Sequence, residues 1–393
     1  MALAIADVQR ALVADGIDGW LLYDFQGSNP IAARLSGLAA AGRMATRRWY
    51  YLIPATGEPR GLVHAIEPHN LDSLPGDKHA YAGRDRLDAG LRALLGGLRR
   101  VAMEYSPGNN IPYISRVDAG TVEAVRQMGV EVVSSGDLVQ RFEAIWSAEA
   151  LATHRQASEA LHRVKDQAFA MVREQIASPA GLTEYEVQAA MIRWMDDAGL
   201  VSEGTPNVSA QENAGNPHYH PSAEAHRGIQ REELLLIDVW GKLRTPGAVF
   251  ADITWVAFTG AAVPEEYSRA FDAARRGRDT AVAAVRSAAR EGRPIRGFEV
   301  DRACRAVLAD AGYADQFIHR TGHSLGESVH GNGVHLDDYE THDDRRLIPG
   351  TGFTIEPGVY TDRFGVRTEI NMYMDERDAY VTGPLQQEIV TLA

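Results

Sequence analysis

One cysteine in 393 residues, Cys304, leaves nothing within the chain to form a disulfide with, and suits a reducing compartment. Basic residues are too few for a nucleic-acid binder. Forty Lys and Arg stand against 53 Asp and Glu, and a net charge of −13 would be repelled by a phosphate backbone. No apolar run approaches the roughly 20 residues that a membrane-crossing helix needs. The opening stretch has neither a basic start nor a long apolar core, so it does not read as an export signal. Instead Ile5, Val8, Leu12 and Val13 fall at helical spacing up to Gly16. The expected setting is therefore cytoplasmic, away from membranes and nucleic acids. Nucleotide-binding glycine patterns are missing too. Gly27, Gly37 and Gly42 fit neither a dinucleotide fingerprint nor a phosphate loop.

What is present is an ordinary globular mixture, 45% hydrophobic and 24% charged, in a length that favours two domains with separate cores. Trp20–Tyr23, Trp49–Ile53, Arg100–Glu104 and Val130–Val133 are strand-like, and Arg116–Met128 has helical spacing between the last two. That makes a βαβ unit and an α/β first domain. His64, His69 and His79 have no acids at ligand spacing around them and read as isolated surface histidines. No chemistry is assigned to this half.

A boundary is expected at Trp146–Ser147, giving domains 1–146 and 147–393. Ser147 is placed to cap a helix from Ala148 to about Ile176, and Thr183 with Glu186 has capping-box spacing for a second. Asn213–Pro221 follows as a loop rich in turn formers, carrying His218 and His220. Leu234–Gly241 and Val249–Trp255 then read as the arms of a hairpin with a turn at Lys242–Gly247, and each arm has one acid among apolar neighbours, Asp238 and Asp252. Two helical stretches come next, Pro264–Glu291 and Phe298–Ala311. Cys304 lies in the second and reads as a buried structural thiol.

The stretch from His319 to Glu369 repeats the theme. Glu356 closes the run Phe353–Ile355, and Glu369 follows Arg367 by two residues, so alternation turns each toward a shared face. The order helix, helix, acid-bearing hairpin thus occurs twice, which suggests two similar halves. A glutamate pointing inward costs several kcal/mol unless positive charge meets it. Arg367 alone is too little for four such acids, and divalent metal is the simplest answer. Carboxylates plus the imidazole of His323 suit Mn²⁺, Co²⁺ or Zn²⁺. Five ligands carrying four negative charges suit two ions sharing carboxylates, with a hydroxide between them to attack a carbonyl. His218 and His330 are then free to donate to the oxyanion or to handle the leaving nitrogen's proton.

These residues resemble the pita-bread metallopeptidases: methionine aminopeptidase, aminopeptidase P and prolidase, with creatinase as a non-metal relative. The matches run in order: His218 in HY, Asp238 in LLIDVWG, Asp252 in ADIT, His323 and His330 in HRTGHSLGESVH, Glu356 in TIEPG, and Glu369 in VRTEIN. The resemblance covers about Ala148 to the end. It implies an α+β pita-bread domain with two pseudo-symmetric halves, following an α/β creatinase-like N-terminal domain. It further implies that Asp238 holds one ion, His323 and Glu356 the other, and that Asp252 and Glu369 bridge them. Glu356 would be the general base, and His218 and His330 would contact substrate. The implied activity is hydrolysis of the Xaa-Pro bond, first of dipeptides, with an aminopeptidase on longer peptides and a non-catalytic binder as alternatives. A homodimer is also implied. The segment Val359–Gly365 is shorter than in many prolidases and omits an insertion bearing a carboxylate-gripping arginine, so Arg367, or Arg363 in its place, is expected to read the dipeptide's carboxylate.

Overall fold

Trp20–Tyr23 and Trp49–Ile53 are buried along their whole length, with no polar face, as strands covered on both sides must be. The computed structural model describes the chain except residues 1–2, 40, 43–44, 177 and 179–180. It divides into two compact units, Met1–Phe142 and Glu143–Ala393. The expected boundary lay four residues later. Glu143–Trp146 falls with the second unit because Trp146 packs with Val249, Phe250 and Leu325 there.

The first unit contains α1 (Ile5–Asp15), β1 (Gly19–Asp24), α2 (Pro30–Leu35), β2 (Trp49–Pro54), β3 (Arg60–His64) and β4 (Asp77–Tyr81). It continues with α3 (Arg84–Leu95), β5 (Arg100–Met103), α4 (Ala119–Gln127), β6 (Glu131–Ser134) and α5 (Gly136–Glu143). The six strands form one sheet in the order β4-β3-β2-β1-β5-β6. β2 runs antiparallel to both neighbours, and the other pairings are parallel. α1 ends where Gly16 takes a left-handed φ of 64°, which glycine adopts without strain. One apolar core covers each face of the sheet.

The second unit opens with α6 (Ala148–Gln175) and α7 (Glu184–Asp197), then β7 (Leu200–Val201), β8 (Asn207–Ala210), β9 (Leu234–Leu243) and β10 (Ala251–Phe258). α8 (Glu265–Glu291) and α9 (Gly297–Asp310) follow, then β11 (Ser324–Leu325), β12 (Thr351–Ile355), β13 (Gly358–Tyr360), β14 (Gly365–Arg367), β15 (Ile370–Met374), β16 (Ala379–Val381) and β17 (Val390–Thr391). Ser147 caps α6 through the Ala150 amide, and Thr183 and Glu186 close a capping box on α7. β9 runs further than its sequence suggests, through Lys242 and Leu243, because β7 pairs with both residues. Two helix pairs lie on two ribbons: α6 and α7 share a core with β9 and β10, and α8 and α9 share one with β12 and β15. Cys304 is fully buried in the second core, and burial pushes its thiol up to about 12. No helix among the described residues is long and apolar enough to cross a membrane.

Candidate metal centre

In the β9–β10 ribbon, Asp238 stands opposite Thr254, and Asp252 lies two residues before Thr254. Directly opposed residues and i, i+2 neighbours share a face, so Asp238, Asp252 and Thr254 point the same way. The β12–β15 and β13–β14 pairings keep one register on both sides of Pro357, which sets Glu356 opposite Glu369 in the gap between them. Thr254 ties the two ribbons together. Its carbonyl accepts the Glu369 amide at 3.2 Å, and its hydroxyl donates to Glu369 Oε2 at 2.7 Å. Asn371 adds a second tie, accepting the Asp252 amide at 2.9 Å and donating to its carbonyl. His323 arrives from the start of β11, where its amide donates to Thr354 Oγ1 at 3.0 Å and its carbonyl accepts the Thr354 amide.

These ties bring one ligand-type atom each from Asp252, His323 and Glu369 within 4.8 Å of one another, all three residues buried. His323 Nε2 also lies 3.6 Å from Asp252 Oδ2 and 3.5 Å from Glu356 Oε1. Asp238 joins through Arg367, whose guanidinium pairs with it and sits 3.9 Å from Glu369. Burial raises the pKa of Asp238, Asp252 and Glu369. The charge of Glu369 adds to the rise at Asp252, that of Glu356 adds at Glu369, and Arg367 opposes both. Burial and the charge of His330 push His323 down to about 3, leaving its imidazole neutral and able to ligate. Asp252 Oδ1 and Glu369 Oε1 are buried without a hydrogen-bond partner among the described residues. Two orphaned carboxylate oxygens among four acids, with one arginine against them, fit divalent cations.

A match to the metallopeptidase family M24 model covers residues 152–376. The chain belongs to metallopeptidase family M24. Among curated M24 relatives, the probable dipeptidase PepE of Mycobacterium tuberculosis is 27% identical over 271 residues, 67% of this chain. That match spans 65% of the relative's length, just under two-thirds. The Xaa-Pro dipeptidase of Lactobacillus delbrueckii is 35% identical over 170 residues, 41% of this chain and 40% of its own. The crystal structure of PepE from Mycobacterium ulcerans superposes with a TM-score of 0.70 at 23% identity, covering 99% of this chain and 96% of that one. Xaa-Pro dipeptidase from Bacillus anthracis gives 0.64 at 18%, covering both chains completely. The fold is thus an N-terminal α/β domain followed by a C-terminal pita-bread domain.

The remaining expected residues fall at the edge of the M24 site. His330 packs edge-on against His323, ring centroids 4.4 Å apart, and its outer side is exposed. Desolvation by its surroundings, then the charges of Arg320 and His218, push it down to about 4. His218 is exposed on its loop, with its amide on Asn216 Oδ1, and His220 stands edge-on to Trp240. Arg367 is already engaged within the protein. It is buried, and its three nitrogens donate to Thr254 Oγ1, Tyr360 Oη and Asp238 Oδ2, which sets its guanidinium against Asp238. Arg363 is exposed and paired with Glu266. His319, grouped with the other histidines in the sequence, spends both ring nitrogens on the Arg320 carbonyl and on Tyr360 Oη.

Sequence reasoning missed Thr254, Tyr360 and Asn371, because a hydroxyl or amide among apolar strand residues carries no ligand signature. It also missed Arg320, whose charge reaches His319, His323, His330 and His335. Its place directly after His319 and three residues before His323 was the available signal.

Proposed function

We propose that this chain is a dinuclear-metal peptidase that cleaves the Xaa-Pro bond, with Xaa-Pro dipeptides as its first substrates. The observation that carries the reading is the gathering of Asp252, Glu356 and Glu369 around His323, with Asp238 joined through Arg367 and two carboxylate oxygens left without donors among the described residues. Asp238 would hold one ion, His323 and Glu356 the other, with Asp252 and Glu369 between them. Bound there, the ions would activate water and polarise the scissile carbonyl. Thr254 and Arg367 orient the acids: the hydroxyl fixes Glu369, and the guanidinium fixes Asp238. Glu356 is the group placed to take the attacking water's proton, its Oε1 already steered by Thr354 at 3.1 Å. His330 and His218 are the groups available to meet the oxyanion and the leaving nitrogen. The reading includes Mn²⁺, Co²⁺ or Zn²⁺ as the ion, a cytoplasmic setting and a homodimer.

The dipeptidase names of the relatives support the dipeptide preference. The commitment of Arg367 to Asp238 favours a second reading, an Xaa-Pro aminopeptidase on longer peptides, because the expected carboxylate reader is already engaged. Turnover of Xaa-Pro, Xaa-Pro-NH₂, Xaa-Pro-Yaa and Xaa-Ala peptides in each metal tests both. The dipeptidase reading expects Xaa-Pro to be cleaved far faster than Xaa-Pro-Yaa. The reverse order establishes the aminopeptidase, and no cleavage of any proline peptide overturns both. Arg367→Ala should cut turnover of Xaa-Pro and Xaa-Pro-NH₂ by the same factor, as a residue that positions acids would. A loss confined to Xaa-Pro would restore Arg367 as the carboxylate reader.

A further inference from the structure

The first unit has a cavity of about 820 Å³ that the peptidase reading does not use. It lies off the C-terminal ends of the parallel strands β1, β3 and β4, where α3 and α4 begin. Strand order turns back at β1, with β2 on one side and β5 on the other. In open α/β sheets that edge is where ligands bind. The volume falls in the range of sites for small organic molecules, roughly 300–1,000 Å³, and exceeds what a bare inorganic ion fills.

Three buried tyrosines line it, and their hydroxyls differ. Tyr81 donates to the Arg48 carbonyl at 2.9 Å, and Tyr23 is engaged by Asp118 and Thr121. Tyr50 is 3% exposed, yet its hydroxyl has no hydrogen-bond partner among the described residues. That hydroxyl lines the cavity, where it can meet a ligand's oxygen. Arg48 and Asp118 both act on Tyr50 electrostatically. Arg48 acts electrostatically on all three tyrosines, opposing the rise that burial imposes on them, and no ion pair of its side chain is seen among the described residues. Arg47 and Arg84 add positive charge at the rim, and α3, twelve residues long, has Gly83 at its N-cap and no side chain capping its first amides. Two acids also line the cavity. Asp118 is occupied capping α4 through Thr121, and Asp88 lies 3.8 Å from Arg84. In a chain of net charge −13 this rim is a local excess of positive charge.

We propose that this cavity binds a small organic anion, whose carboxylate or phosphate is met by Tyr50, Arg48 and the open start of α3 while its body lies along the tyrosines. Calorimetric titration of the full-length, metal-loaded protein tests it, with AMP, N-acetylphenylalanine and inorganic phosphate as probes. One-to-one saturable binding of AMP marks a phosphate site, and of N-acetylphenylalanine a carboxylate site; either is the expected result. Arg48→Glu should weaken that binding at least tenfold and Tyr50→Phe several-fold, while peptide hydrolysis without the anion stays at the wild-type rate in both. Binding of neither organic anion, binding of phosphate alone, or affinities unchanged in both variants would overturn the proposal.

Discussion

Glu104 places a carboxylate at full burial in the first unit, receiving hydrogen bonds from Trp20 Nε1, Asn29 Nδ2 and Ser135 Oγ. Burial outweighs those donors and pushes its pKa up to about 7 from an ordinary 4.5. The folded chain therefore keeps this proton to higher pH than the unfolded chain. Stability from this group is greatest below pH 4.5, falls between 4.5 and 7, and stays lower above that, a loss of about 3 kcal/mol. Denaturant unfolding of wild type and Glu104→Gln across that window should show the wild type losing this amount relative to the variant; parallel curves would disprove the shift. The histidines of the second unit separate by contact in the same way. His323→Ala should lose metal, because its Nε2 faces Asp252 and Glu356. His330→Ala and His218→Ala should keep metal and lose turnover, by roughly 10²–10³ if each donates to the oxyanion. Elemental analysis showing metal lost from His330→Ala and kept in His323→Ala would reverse the assignment.

At the level of elements, the loop that carries His218 and His220 is held by one residue the sequence did not single out. Glu184, fully buried at the start of α7, accepts from the Ala210 amide at 2.7 Å, Asn213 Nδ2 at 3.0 Å, Tyr219 Oη at 2.6 Å and the Arg227 amide at 3.0 Å. Its carboxylate closes this stretch of chain onto the helix. Glu184→Gln replaces one acceptor oxygen with a donor and leaves one of the two backbone amides unmet, at a cost of roughly 1–3 kcal/mol. Amide exchange across residues 210–227 should speed up while the metal content stays at its wild-type level; unchanged exchange would mean that Glu184 does not hold the loop. The two ribbons were legible because inward-facing acids interrupt apolar runs, a pattern with few structural explanations. Their offsets were not, since the pairing of Asp238 with Thr254 and the gap at Pro357 are set by partner strands far along the chain. β4, Asp77–Tyr81, escaped notice because it is largely exposed and polar, with no alternation to mark it.

Across the whole molecule, the repeated order of helix, helix and acid-bearing ribbon was readable, and the structure realises it as two helix pairs, each sharing a core with one ribbon. What composition could not supply was the wiring between ribbons. Arg367 looked like a free cation two residues from Glu369, and only the tertiary contact with Asp238 shows it to be committed. The first unit gave its sheet class to sequence reading but hid its cavity, because Tyr23, Tyr50 and Tyr81 meet only when β1, β2 and β4 lie in one sheet. The central claim is that Asp252 and Glu369 stand between two ions. Metal content per chain, measured on wild type, Asp252→Asn and Glu369→Gln together with Xaa-Pro hydrolysis, tests it most directly. The account predicts two ions in the wild type, fewer in each variant, and no hydrolysis by either; a variant with two ions and near-normal hydrolysis would contradict it.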